Sequence, residues 1–545
     1  MKKNKLLIVT ILLGFLAFGM SYNTLIKENV VAQLEKQIAK VEKKIVGKET
    51  NNKIESSPVK KEAIANSIVA ATVSVTNAVA INGGGNAQPG SQLDFTITIN
   101  NTGTDATGTT FQDILDSNLT LVPNSLKVTP IAVNDAYNCI GNVGITLNAA
   151  QGVLANDVSP DGTAMTVAIL ANGAHGTAAL STDGSFTYNP TVGYSGADSF
   201  TYTLTNASGK TSTATVNITI STPIYFVNSS VATNGNGTLS SPFKLVQNAV
   251  GTGSNPIFIY TGAASSGTTL SLSTNQKVIG QGATSSLVSI LGLTVPSYTN
   301  VLPTTGGTSP TFSTITLSSN NNIQGVILSS NMTGSSIGTL KVRDVTITGG
   351  NTTAVSINGG GVLDCIFKSI SSNGGAGGII MTNTTGSFQV TGTGTTAGSG
   401  GTIQNVSDKG AHFNSCTNIS LKNMNFVGSI NAAVSLVGST GITLDNISVT
   451  GTNNNFGILI NNVTNFTLNN STLTGCGSNV ASSNVGGIYA TNLKGTSSIT
   501  NTNVNDSWGR GFYSYNDQGT SNLTITACQF KNSFNKANGG SNFVF

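Results

Sequence analysis

The segment TNISLKNMNF, residues 417–426, recurs with small changes as TGITLDNISV at 440–449 and TNFTLNNSTL at 464–473. In each copy an aliphatic anchor is followed two positions later by Asn. A spacing of 20–30 residues is typical of a solenoid, whose rungs bury a core only by stacking on one another. The repeat therefore predicts stacked parallel rungs. The anchors, at intervals of 23, 24, 31 and 26 residues, are Leu421, Leu444, Leu468, Ile499 and Ile525.

The residue two positions after each anchor is predicted to form a sharp bend between parallel strands. Asn and Asp tolerate the left-handed backbone that such a bend needs, and their side chains can bond neighbouring backbone groups. Stacked about 4.8 Å apart, successive Asn amides can also bond one another as a ladder. We therefore interpret the repeated phrase as scaffolding. The expected ladder consists of Asp344, Asp364, Asn423, Asn446, Asn470 and Asn501.

A second strand precedes each anchor and has an outward column of its own. In AHFN, VSLV and ILIN the outward residues are His412, Ser435 and Leu459. His412 is expected to be a solvated surface residue with no nucleophile or acid nearby.

Continuing the outward column past Leu459 gives Tyr489 and then Tyr513, with Trp508 and Arg510 close in sequence. Aromatic faces stack on sugar rings and contribute strongly to interfaces. Tyr489, Trp508 and Tyr513 therefore form a candidate glycan-binding patch. An ordinary surface ladder of tyrosines is the alternative.

The N-terminal region differs from the rest of the chain in charge. Only 8% of the 545 residues are charged, yet residues 1–62 contain 12 of the 25 Lys and Arg and all six Glu. Residues 1–21 combine three Lys with the apolar run LLIVTILLGFLAFGM, which predicts a signal peptide; a retained anchor is the alternative. Residues 22–66 show a short heptad pattern and predict a charged helical spacer and linker.

The remaining chain lacks the clustered Lys and Arg with aromatics that nucleic-acid binding requires. It also lacks any later apolar segment long enough to form a transmembrane helix. We therefore expect an exported protein with no nucleic-acid partner and no transmembrane helix beyond the N-terminal run.

Two segments after the linker predict β-sandwiches. SQLDFTITINNTG (91–103) alternates apolar and polar residues and then turns, as a half-buried antiparallel strand does; residues 67–130 resemble a β-sandwich repeat of unknown function in bacterial surface proteins. GVLANDVSPDGTAMTV and GYSGADSFTYTLTN, within 131–221, resemble the cadherin-like, Ig-like repeats of bacterial adhesins.

The second resemblance implies a calcium site, from which this chain departs. Those repeats commonly bind Ca²⁺ through acidic loops, but Asn206 replaces a family Asp and Ser159 replaces another. Ca²⁺ takes six or more oxygen ligands, preferably charged ones. We expect no cofactor or metal, except that a weak Ca²⁺ site is left open at Asp135, Asp157, Asp161 and Asp198.

Residues 222–545 carry phrases of another family. YFVNSSVATNGNGTLSSPFKLVQNAV (225–250) and GSFQVTGTGTTAGSGGTIQNVS (386–407) resemble right-handed parallel β-helix domains of the pectin-lyase-like type, found in surface proteins. A solenoid normally ends in a capping segment, and nothing after Ile525 resembles one. We therefore expect the chain to continue past Phe545.

Many parallel β-helices cleave acidic polysaccharides, so the resemblance also implies a rival enzymatic function. Hydrolysis needs two carboxylates at a defined separation, and a groove for a polyuronate is lined with cations. Residues 223–545 contain six Asp, no Glu and 11 scattered Lys and Arg. No catalytic residue is predicted. The best enzymatic constellation is Lys341, Arg343, Asp344, Asp364 and Lys368; turn carboxylates beside solvating cations are the alternative reading.

The sequence thus predicts an all-β protein. Two β-sandwich domains are followed by a right-handed parallel β-helix, with a short helical segment at the N-terminus. The expected function is non-catalytic adhesion or surface display, with an extracellular glycan or a host or cell-surface protein as partner. The alternative is an extracellular polysaccharide lyase or glycoside hydrolase acting through the β-helix.

Overall fold

The computed structural model describes residues 73–82, 92–101, 122, 127–452, 455–477, 485–532 and 543–544. The predicted signal peptide and helical spacer lie outside the described residues. The chain divides into two compact units, Met1–Val122 and Pro123–Phe545. Within the described ranges, no helix has the length and apolar character needed to cross a bilayer.

The described part of the first unit is an antiparallel hairpin. Strand β1 (Val73–Ile81) pairs with β2 (Leu93–Asn101), in register from Val73 opposite Asn101 to Ile81 opposite Leu93. The strand predicted from SQLDFTITINNTG is present. The rest of the predicted sandwich at 67–130 lies outside the described residues, except Val122 and Lys127–Pro130.

The second unit begins with a β-sandwich of two facing sheets. One sheet has the order β3-β9-β8-β5 and the other has the order β4-β7-β6. Tyr188, Phe200 and Tyr202 lie in its core and are almost fully buried. A 3₁₀ turn spans Val153–Ala155. The strands are β3 (Asp135–Ile140), β4 (Ile145–Leu147), β5 (Met165–Ala171), β6 (Gly176–Leu180), β7 (Phe186–Pro190), β8 (Gly196–Asn206) and β9 (Thr211–Ser221).

All strands after the sandwich pair in parallel. The first of them are β10 (Tyr225–Val227), β11 (Ile257–Ile259), β12 (Ala263–Ser271), β13 (Lys277–Gly280), β14 (Thr311–Thr316), β15 (Asn321–Gln324), β16 (Ile327–Ser335), β17 (Thr339–Ile347), β18 (Val355–Asn358), β19 (Gly361–Ile370), β20 (Ser372–Asn373), β21 (Ile379–Thr382), β22 (Thr384–Val390) and β23 (Gly401–Gln404). The others are β24 (Ala411–Asn414), β25 (Thr417–Lys422), β26 (Met424–Val427), β27 (Val434–Val437), β28 (Thr440–Asp445), β29 (Ser448–Thr450), β30 (Phe456–Asn461), β31 (Thr464–Asn469), β32 (Thr472–Thr474), β33 (Gly486–Thr491), β34 (Gly495–Thr500), β35 (Asn503–Asn505), β36 (Arg510–Tyr515), β37 (Ser521–Thr526), β38 (Gln529–Lys531) and β39 (Phe543–Val544).

These strands form three columns, as expected for a parallel β-helix. One column includes β17, β19, β22, β25, β28, β31, β34 and β37; the second includes β24, β27, β30, β33 and β36; the third is β20-β23-β26-β29-β32-β35-β38. The predicted anchors pair in order, from Leu421 with Leu444 to Ile499 with Ile525. Their side chains belong to one continuous apolar core. The all-β prediction is therefore confirmed.

A 30-residue segment, 281–310, departs from the regular rungs between β13 and β14. It contains the one α-helix of the described chain, α1 (Leu287–Leu291). Ser286 caps the start of α1 by accepting a hydrogen bond from the Ser289 N–H, and Gly292 ends it in the left-handed conformation. A second 3₁₀ turn, Val246–Ala249, lies near the start of the β-helix.

The same segment joins the sandwich to the β-helix. Asn300 donates from its backbone N–H to the Gly144 carbonyl and from its side chain to the Val143 carbonyl, each over 3.1 Å. Ile140 and Val143 of the sandwich share a buried cluster with Phe226 of β10. The two domains therefore meet through a continuous apolar core and not through a free linker.

Candidate functional site

A groove of about 460 Å³ lies where segment 281–310 crosses the first rungs. Strand β17 contributes Lys341, Arg343 and Asp344 to its lining, and β19 contributes Lys368. Three cations and one carboxylate line this charged groove, so its lining carries an excess of positive charge. Polar side chains complete the walls: Thr284, Ser285, Ser289, Asn322, Gln324 and Thr391.

Asp344 is the carboxylate of the charged groove, and it is fully engaged. One oxygen accepts hydrogen bonds from the Thr284 backbone N–H at 2.9 Å and the Thr284 hydroxyl at 2.7 Å. The other oxygen lies 3.2 Å from the Lys368 ammonium. Burial raises the pKa of Asp344, but the contacts with Thr284 and Lys368 outweigh it, so the pKa stays below its ordinary value. Asp344 is therefore a structural anion that ties segment 281–310 to the rungs.

The prediction that Asp364 shares the turn column with Asp344 is wrong. Asp364 lies within β19 and pairs in register with Lys341, three residues before Asp344. The register shifts between Val342 and Val345, because β17 bends at Asp344 (φ 55°) whereas Asp364 is not among the left-handed residues. The Asp364 side chain instead forms an ion pair with the Arg343 guanidinium.

The other members of the predicted turn ladder have the left-handed backbone. The φ angles are 56° at Asn423, 54° at Asn446, 50° at Asn470 and 48° at Asn501. The Asn446 amide donates to Asn423 at 2.7 Å and the Asn501 amide to Asn470 at 3.3 Å. Between these pairs the ladder is interrupted, since the Asn470 amide donates to Asp445.

Two residues of the outward column, Tyr489 and Tyr513, stack with Phe456, a buried residue at the start of β30; we call these three rings the tyrosine stack. The Tyr489 ring lies 4.5 Å from the Phe456 ring and 4.7 Å from the Tyr513 ring, nearly parallel to both. The Arg510 guanidinium lies 4.6 Å from the centre of the Tyr513 ring. Since Phe456 and Tyr513 come from the rungs on either side, both faces of Tyr489 are covered. The stack therefore exposes ring edges more than ring faces. Trp508, half-buried, precedes β36.

His412 has closer polar neighbours than the sequence suggested. It is half-buried, and its Nδ1 lies 3.1 Å from the Ser435 hydroxyl. Burial and the nearby Lys409 lower the pKa of His412, whereas Asp408 opposes this shift. The expectation of a solitary exposed histidine is therefore wrong. Because only 1% of Ser435 is exposed, its hydroxyl is not open to a substrate.

The four aspartates named for calcium occupy three separate places. Asp135 and Asp157 meet at the Tyr202 hydroxyl, 3.5 and 3.0 Å away. Asp161 instead accepts from Ser159 and other neutral donors, and Asp198 accepts from the Tyr188 hydroxyl at 2.5 Å.

No group of three or more His, Cys, Asp or Glu with metal-binding geometry is found in the described part of the chain. Two carboxylates with one hydroxyl supply fewer oxygens than Ca²⁺ takes. The expectation of no cofactor or metal, with a weak Ca²⁺ site left open, stays a prediction.

Burial and the neighbouring Asp157 raise the pKa of Asp135 to about 7. Burial also raises the pKa of Asp157, although the Val133 N–H and Tyr202 oppose it. Asp135 and Asp157 together therefore retain one proton up to near neutral pH.

Comparison with known proteins identifies one region of the chain. A family model described as the bacterial Ig domain matches residues 127–219. This match covers the sandwich of β3 to β9. No curated protein and no solved structure was found to match the chain.

The sequence pattern predicted the cations of the charged groove but not the residues of segment 281–310 that form one of its walls. Thr284 and Ser289 lie in segment 281–310, which follows no repeat, so no column points to them. The one available signal is length: about 30 residues separate β13 from β14, whereas β15 follows β14 after four residues.

Proposed function

We propose that this protein is a modular bacterial cell-surface protein that acts in adhesion or surface display, and that its β-helix binds an anionic ligand without cleaving it. The match of residues 127–219 to a bacterial Ig domain supports a surface-associated modular protein. The apolar N-terminal run with its preceding lysines supports export. An acidic extracellular glycan is the ligand class that suits a cationic groove.

The charge arrangement of the groove carries this proposal. Asp344 is paired with Lys368, and Asp364 is paired with Arg343. The Lys341 side chain, in contrast, has no hydrogen-bond or ion-pair partner within the described residues, and Lys341 lines the groove. Field lines concentrate in a cleft lined by one sign of charge, which attracts a ligand of opposite charge. An unpaired cation beside two neutralised carboxylates suits anion binding.

The same observation weakens the catalytic alternative. A glycoside hydrolase uses one carboxyl group with a raised pKa as the acid and a second carboxylate as base or nucleophile. Asp344 has a lowered pKa and is occupied by Thr284 and Lys368. It is therefore poorly suited to donate a proton.

A polysaccharide lyase or glycoside hydrolase remains the second candidate function for one specific reason. Four of the five residues of the best enzymatic constellation, Lys341, Arg343, Asp344 and Lys368, line a single groove, whereas the fifth, Asp364, is not in its lining. A bound metal or a change of ion pairing would be needed for them to act on a substrate.

Binding to a polyanionic glycan tests the proposal. We expect purified protein to bind polygalacturonate at low ionic strength, and Lys341→Gln to weaken binding about tenfold, as loss of one close charge pair does. The matched control is Lys422→Gln, which removes a cation already paired with Asp445 on another part of the β-helix. Equal binding by wild type and Lys341→Gln would contradict the proposal.

A further inference from the structure

A second candidate site lies among the outward-facing residues of β33 and β36, far along the chain from the charged groove. Tyr489 and Tyr513 pair in register on adjacent rungs, in β33 and β36, and both rings are half-exposed. Arg510 begins β36 and is also half-exposed. The side chains of Tyr489, Arg510 and Tyr513 therefore meet on one surface of the β-helix.

Arg510 has a cation–π partner but no acidic one. Its guanidinium lies over the Tyr513 ring, and no ion pair among the described residues includes it. Residues 478–545 contain only two acids, Asp506 and Asp517. A guanidinium presents five N–H donors in a planar fork. A carboxylate accepts hydrogen bonds from these donors, whereas a ring face does not replace such an acceptor.

Close backbone packing fixes the strand that carries Arg510. Gly486 pairs with Arg510, and a Cβ at Gly486 would lie 2.0 Å from the Arg510 carbonyl oxygen. The Arg510 N–H donates to the Val485 carbonyl at 3.1 Å. With the backbone held in this way and the side chain resting on Tyr513, little conformational freedom is lost when a ligand binds.

The geometry points to a site for the carboxylate of an acidic sugar at Arg510, Tyr513 and Tyr489. A carboxylate accepts two parallel hydrogen bonds from a guanidinium, and the exposed edges of the two tyrosines offer hydroxyls to neighbouring sugar oxygens. Neutral sugars are not expected to bind here by stacking, because stacking needs a free ring face and both faces of Tyr489 are covered.

The size of the site favours a sugar over a protein. Two rungs extend about 10 Å along the β-helix at a strand spacing of about 4.8 Å. A stable protein interface involves about 20–30 residues on each side, far more than these three side chains. The inference does not depend on the charged groove, since its residues belong to other rungs.

Isothermal titration with an oligosaccharide that contains glucuronate, and with the same oligosaccharide after reduction of its carboxyl groups, tests this site. We expect wild type to bind only the carboxylate form. Arg510→Gln should weaken binding about tenfold, and Arg510→Lys should weaken it less because it keeps the charge but loses the fork. These comparisons are made in the Lys341→Gln background, which removes the cation proposed to bind glycan in the charged groove. Lys422→Gln, whose cation is paired with Asp445, is the matched control and should leave binding unchanged.

The folding of each variant is checked by thermal unfolding, and a variant that fails to fold is replaced by Tyr513→Phe, which keeps the ring stack and removes one hydroxyl. Equal binding of the reduced oligosaccharide, or equal binding by folded Lys341→Gln and folded Lys341→Gln/Arg510→Gln, would overturn the site. Binding of a glutamate-rich peptide in place of the sugar, lost in Arg510→Gln, would overturn its assignment to a glycan.

Discussion

The side-chain amide of Asn446 donates a hydrogen bond to the side-chain oxygen of Asn423, 2.7 Å away on the preceding rung. The same amide lies 2.9 Å from the Thr395 carbonyl, so it also holds the loop between β22 and β23. Both asparagines have positive φ angles. One side chain thus links two bends and a loop, which explains why the repeated phrase keeps Asn at this position.

Replacing Asn446 with Ala should destabilise the β-helix. Ala loses both side-chain hydrogen bonds and is strained in the left-handed backbone, so the combined cost is about 3 kcal/mol. Asn446→Gly loses the bonds but tolerates the backbone, so it should cost less. The free energy of unfolding in denaturant measures both changes. Equal stability of Asn446→Ala and wild type would show that the ladder has no structural role.

Ala527 occupies the position of Asn in the last described rung and has a φ angle of 56°. An Ala in this conformation costs about 1–2 kcal/mol. Ala527→Asn should therefore raise the melting temperature, whereas Ala527→Val, which is β-branched, should lower it. A fall in melting temperature for Ala527→Asn would contradict the backbone argument.

The stability of the Ig-like sandwich should fall as pH rises from about 4 to about 7. Burial and Asp157 raise the pKa of Asp135 to about 7, well above the value near 4 of an unfolded Asp. Between these values the folded state binds more protons than the unfolded state, so stability is highest at the acidic end and is lost as pH passes through about 7. Differential scanning calorimetry across this range measures the change.

Asp135→Asn is the control for the pH effect, because it removes the titrating group and should flatten the dependence. An unchanged pH dependence in Asp135→Asn would assign it to another group. Repeating the scan with millimolar calcium also tests the weak Ca²⁺ site that the sequence left open, since an ion held by Asp135 and Asp157 would restore stability at the alkaline end.

Removing both carboxylates near the charged groove should leave the fold intact and strengthen anion binding. Asn at position 344 tolerates the left-handed backbone, and Asp344→Asn/Asp364→Asn frees the cations Lys368 and Arg343. We expect several-fold tighter binding of polygalacturonate at low salt, with the gain lost as salt screens the charges. Asp517→Asn, an exposed acid elsewhere, is the control. Weaker binding by the double variant would contradict this account.

The regular rungs were predictable because the same phrase, an aliphatic anchor followed two positions later by Asn, recurs in successive rungs. The register from Leu421 to Ile525, and the outward pairing of Leu459 with Tyr489 and of Tyr489 with Tyr513, follow from the repeat. The prediction failed at Asp364. Strand β17 bends at Asp344 whereas β19 continues past Asp364 without that bend, so the similar sequences around the two aspartates do not place them in register.

The sites were less predictable than the fold for a different reason. The covered faces of Tyr489 depend on ring rotation, and Thr284, which donates two hydrogen bonds to Asp344, lies 60 residues away in segment 281–310. Likewise, Asp135 and Asp157 come together only because β3 and the turn before β5 converge on Tyr202. Contacts between side chains from non-repeating segments leave no periodic trace in a sequence.

The central claim, that the β-helix binds an acidic glycan without cleaving it, is tested most directly by the chain length of the bound polymer. Purified protein is incubated with polygalacturonate, with and without calcium, and the size distribution, new reducing ends and ultraviolet absorbance of unsaturated products are followed. We predict a bound polymer of unchanged length and no new ends. Shortening of the polymer by wild type that is absent in Asp344→Asn/Asp364→Asn would contradict the claim and establish the enzymatic alternative.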